Sequence, residues 1–179
     1  MDELLKMLSG GDLRSDGRAD EVIKKPQLFY RLIKGLSESD DVVRARTAHA
    51  LERISRSNPK LLYTHLPYLL EIVVNDSGPM VKWHLAMMFG NLADFADKID
   101  FLISALFRLL GDRSVFVKSW AIASLCVIGK KYTERRREII RRVGVFKADK
   151  SIAIRTKVDK AIYILENDEV SIPSGWLKK

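Results

Sequence analysis

Apolar residues return to the same places four times along this chain, and the recurrence predicts helices. The pattern is anchored at Val43-Arg44, Val81-Lys82, Val117-Lys118 and Ile154-Arg155, each a β-branched residue followed by a base. The anchors lie 38, 36 and 37 residues apart. Places 4, 7, 8 and 11 after them hold Thr47, Ala50, Leu51 and Ile54, then Leu85, Met88, Phe89 and Leu92. The third set is Ala121, Ser124, Leu125 and Ile128, and the fourth Val158, Ala161, Ile162 and Leu165. At roughly 100° per residue these places fall within about 100° of one another, a single stripe along a helix. The strict alternation of a half-buried strand is missing.

A second helical stretch precedes each anchor helix: Phe29 to Leu36, Leu61 to Val74, Ile99 to Leu110 and Glu134 to Phe146. Pro67 is expected to kink or break the second of these, because it lacks an N–H and clashes with the preceding turn. The joins carry turn chemistry, as in Asn75-Asp76-Ser77-Gly78-Pro79 and Gly111-Asp112-Arg113-Ser114. Their Asp, Ser and Asn side chains are suited to cap the helices that follow. An acid stands five residues before every anchor: Glu38, Asp76, Asp112 and Asp149.

In-phase recurrence at this period reads as stacked helix–turn–helix units. The run Asp112-Arg113-Ser114-Val115-Phe116-Val117-Lys118-Ser119-Trp120-Ala121-Ile122-Ala123-Ser124-Leu125 resembles the HEAT repeat most clearly. The resemblance covers residues 26–165. It implies an all-α superhelical solenoid of about four helix pairs, at 26–58, 59–95, 96–131 and 132–165. Residues 1–25 are expected to form an N-terminal helical cap, with helices at Asp2 to Leu8 and Asp16 to Lys25. Residues 166–179 are expected to form a C-terminal tail that docks through Trp176. The resemblance also implies a structural ladder in which Asp76, Asp112 and Asp149 pair with Arg44, Lys82 and Lys118, Arg155 ending the series. The competing role for Arg44, Lys82, Lys118 and Arg155 is a phosphate-binding stripe.

Charge alters this picture in one region. The chain has 179 residues and a formal net charge of +8. Residues 130–160 carry twelve basic residues against four acidic ones, so all of the excess lies there. Lys130, Lys131, Arg135, Arg137, Arg141, Arg142 and Lys147 form the expected basic patch. Such a patch attracts phosphate backbones or acidic protein segments. No apolar run reaches the roughly 20 residues needed to span a bilayer, so no membrane insertion is expected. The N-terminus lacks a signal-peptide layout, and the lone cysteine, Cys126, fits a reducing compartment, so a cytoplasmic location is expected.

The places opposite the apolar stripe are the candidate partner surface. In HEAT-like proteins second helices line the concave face, and here those places are apolar in the middle units. Trp83, Ala86, Met87, Ile122, Cys126 and Tyr163 are therefore expected to line a partner-binding groove for a protein or peptide. Catalytic signals are weak. His49 and His84 are placed to approach one another, but no carboxylate or cysteine joins them at metal-ligand spacing. No phosphate loop and no Gly-x-Ser-x-Gly occurs. No cofactor, metal or catalytic residue is expected. The expected function is a non-catalytic protein-binding scaffold or adaptor. The alternative is a nucleic-acid-binding protein similar to DNA alkylation-repair glycosylases, for which Trp83, Trp120 and Asp159 supply the residue types.

Overall fold

A computed structural model describes Leu8 and residues 15–177. The helix expected at Asp2 to Leu8 lies outside these residues, Leu8 apart. The described residues are helical with no strand. The helices are α1 (Ser15–Lys24), α2 (Phe29–Ile33), α3 (Asp41–Ser57), α4 (Lys60–Tyr63), α5 (Leu66–Asn75), α6 (Pro79–Asn91), α7 (Ile99–Leu109), α8 (Val115–Lys131), α9 (Thr133–Gly144) and α10 (Ile152–Glu166). Short 3-10 turns follow α2 at Lys34–Ser37 and α9 at Val145–Ala148.

Local chemistry sets the boundaries. The stretch expected from Leu61 to Val74 is split into α4 and α5 before Pro67. The proline sits in the first turn of α5, where its missing N–H costs nothing and its fixed φ suits the helix. Asp40 caps α3, its Oδ1 accepting from the Val42 and Val43 amides at 2.8 and 3.3 Å. Ser114 caps α8 through the Val117 amide at 3.4 Å.

Packing follows chain order. The four anchor helices α3, α6, α8 and α10 each lie against the next, and α1 covers the other side of α3. α7 packs on α8, α9 on both α8 and α10, and α5 on α7. One continuous core runs through the row, from Val22 through Leu51, Leu85, Phe89 and Leu125 to Ile162. The central helices α6 and α8 are flanked on both sides, so they are buried nearly all round rather than along one stripe.

Small residues let these two helices approach. A Cβ added at Gly90 would stand 2.7 Å from Ser124 Oγ and 3.3 Å from its Cα. Ser124 Oγ also donates to the Ala86 carbonyl at 2.7 Å. Gly90→Ala must therefore push α6 and α8 apart or displace Ser124. The expected loss is about 1–3 kcal/mol. Urea titration of both variants checks this, with Gly175→Ala as the control expected to be neutral, since nothing lies within 4 Å of its added Cβ.

Candidate functional site

The recurrent acids and bases form a row of ion pairs. Arg44 Nε stands 2.9 Å from Asp76 Oδ2, Lys82 Nζ 3.1 Å from Asp112 Oδ2, and Lys118 Nζ 2.5 Å from Asp149 Oδ2. The other oxygen of each carboxylate braces its own turn. Oδ1 of Asp76, Asp112 and Asp149 accepts the amides of Gly78, Ser114 and Ser151 at 2.5, 2.8 and 2.8 Å. Each aspartate thus fixes a helix entry and ties it to the preceding unit. Arg155, the fourth base of the series, forms no ion pair with an aspartate among the described residues. Its Nη1 donates to the carbonyls of Asp149 and Lys150 at 2.7 and 3.3 Å. Arg44 does the same to Glu38 and Ser39 at 2.9 and 3.1 Å.

The groove expected along the anchor helices is corrected by burial. Ala86, Met87, Ile122 and Cys126 are inside the protein. They lie where each helix meets its neighbours in the row, so a one-stripe reading misplaced them. Burial pushes the Cys126 thiol up to about 12. Trp83 is half-buried and Tyr163 is exposed, and the two stand on different helices, α6 and α10. Trp83 instead joins a row of rings. His49 and His84 stack with centroids 4.8 Å apart, Trp83 and His84 at 4.9 Å, and Trp83 and Phe116 at 5.4 Å. Among the described residues no group of three His, Cys, Asp or Glu could hold a metal ion.

The basic patch divides in two. Lys130 Nζ donates to the carbonyls of Ile164, Asn167 and Asp168 at 3.4, 2.8 and 2.8 Å, satisfying the end of α10. Lys131 pairs with Asp94, and Arg135 with Asp100 at 2.8 Å. Arg142 stacks its guanidinium 4.8 Å from the Phe107 ring. Arg137, Arg141 and Lys147 are exposed and meet no carboxylate, carbonyl or ring among the described residues. Arg137 and Arg141 border an open depression with Ile140, Glu134 and Glu138. Val145, 74% exposed, lies just beyond.

One polar cluster was not anticipated. Glu52 is fully buried, and its carboxylate takes Arg56 Nε at 2.9 and 3.1 Å and Asn91 Nδ2 at 3.3 Å. Asn91 also donates to Ser55 Oγ at 2.8 Å. Ser55 and Asn91 line a cleft of about 420 Å³ with Arg56, Lys130, Lys131, Ile172 and Leu177. The Glu52–Arg56 spacing of four was a sequence signal for a helix pair. Its junction with Asn91 required the packing of α3 on α6.

No family model matches this chain, and no curated protein matches it either. The site therefore rests on geometry alone.

The ion-pair row makes stability pH-dependent. The Lys118 hydrogen bond, then the Ser151 amide, holds the Asp149 carboxyl below its ordinary range. A depressed carboxyl stabilises the fold above the unfolded value, about 3.9, and that contribution is lost as pH falls through the folded value. Asp149→Asn is expected to be less stable than wild type at pH 7 and to converge with it near pH 2–3. Thermal unfolding at both pH values checks the convergence; a gap that persists in acid contradicts it.

Proposed function

We propose that the chain is a HEAT-type α-solenoid, with units at 26–58, 59–95, 96–131 and 132–165, that acts as a non-catalytic binding module in the cytoplasm. Its partner in this reading is an acidic protein segment, and the docking surface is the outer side of α9. The observation that carries it is the division of the basic patch. Lys130, Lys131 and Arg135 are used within the fold, whereas Arg137, Arg141 and Lys147 are exposed and unmatched. Unmatched cations one helical turn apart, beside Ile140 and Val145, suit a segment that alternates carboxylates with aliphatic side chains. Support for the solenoid comes from the 38-, 36- and 37-residue spacing and from ion pairs that repeat with it.

Nucleic acid is the alternative partner, and salt separates the two. A duplex contacted at six to ten phosphates loses roughly 10³–10⁵ in affinity between 50 and 200 mM salt. Three free cations predict a shallower dependence. The expected result is that a labelled Asp/Glu-Leu peptide binds, and that Arg137→Glu with Arg141→Glu weakens it about tenfold, some 0.7 kcal/mol per charge. Fluorescence anisotropy at two salt concentrations measures this. Tighter binding of duplex DNA than of the peptide, with a steep salt slope, overturns the acidic-segment reading.

A further inference from the structure

The tail after α10 is held in an unusual way. Residues 169–177 make only local backbone hydrogen bonds, Val170 to Asn167 and Trp176 to Pro173, and none to the body among the described residues. Their grip is apolar. Trp176 is 8% exposed and belongs to the core, while Val170, Ile172 and Leu177 pack against it in part. Ile172 and Leu177 wall the cleft whose other sides come from α3, α6 and α8. At the tail's origin, Lys130 holds the carbonyls of Asn167 and Asp168, and Arg136 meets Asp168 at 2.8 Å.

Beneath the indole lies a cation that meets no carboxylate among the described residues. Lys157 Nζ sits 4.3 Å from the Trp176 ring centroid and 5.5 Å from that of Trp120, within cation–π range of both indoles. Lys160 lies 5.9 Å from the Trp176 ring as well. Cation–π attraction favours this arrangement, but covering an ammonium removes its water. Burial accordingly lowers the Lys157 pKa, with Lys160 adding to the effect. A segment that makes no backbone bond to the body and meets it through side chains alone is seated as a bound peptide would be, its tryptophan in one pocket and its aliphatic side chains in another.

We propose that residues 171–177 occupy, in cis, a peptide-docking groove across α10 and α8, and that the groove takes in trans a segment of the same chemistry: an aliphatic residue and a proline, then tryptophan and leucine. The Trp120–Lys157 platform is the pocket for the tryptophan. The cleft beside Val127 and Asn91 receives the aliphatic side chains. Displacement of the tail uncovers this face, and the tail competes with any such partner.

The experiment is the binding of a labelled synthetic peptide of residues 167–179 to the full chain, to Trp176→Ala and to Trp176→Phe, read by fluorescence anisotropy, with urea unfolding of each variant to establish that it is folded. Competition from the tail in cis predicts saturable binding at least about tenfold tighter to Trp176→Ala than to the full chain, with Trp176→Phe between the two. The same peptide carrying Trp176→Ala should not bind. No saturable binding to a folded Trp176 variant, or equal binding to the variants and to the full chain, overturns the proposal.

Discussion

The structure depends on one constraint: an anchor helix that is apolar on nearly every side has to be covered on nearly every side. α6 and α8 meet it by lying between neighbours of their own kind, and the small residues Gly90, Ala86 and Ser124 bring their backbones close. A single helix pair lacks the surface to do this alone, so the burial of each of these helices depends on its neighbours in the row. The ends of the row have different solutions. α1 lies over α3, and the tail brings Trp176 onto α10.

Charge is organised by the same row. Each aspartate at a helix entry has one oxygen for its own turn and one for the base of the unit before. The ion pairs, their side chains mostly covered, therefore tie the rotation of each helix to that of the next. What remains is informative by subtraction. After Lys130, Lys131 and Arg135 are assigned to carbonyls and carboxylates within the fold, Arg137 and Arg141 on α9 and Lys147 in the turn after it are the exposed cations left in the basic patch. The ring row from His49 to Phe116 is a separate feature, with its rings stacked on one another.

Helix content and the anchor positions were legible because a period of 3.6 and a period of about 37 coincide in this sequence. The acid–base register was legible for the same reason: Asp76, Asp112 and Asp149 recur in phase with Arg44, Lys82 and Lys118. The groove was not. A helix wheel gives each helix one buried side, and Ala86, Met87, Ile122 and Cys126 fall opposite it. Their burial comes from neighbours about 37 residues away, which no local pattern shows. The Glu52–Asn91 contact escaped for that reason too, and although Trp176 was expected to dock the tail, its partner Lys157 was not foreseen. Both join residues on different elements.

The claim that the two central helices are enclosed from both sides is open to direct measurement by native-state hydrogen exchange. The amides of Ala86, Met87, Ile122 and Cys126 are predicted to exchange only through global unfolding, with a free energy equal to that from urea denaturation. Exchange at those four amides as fast as at Arg137 and Arg141 on the exposed side of α9 would contradict it.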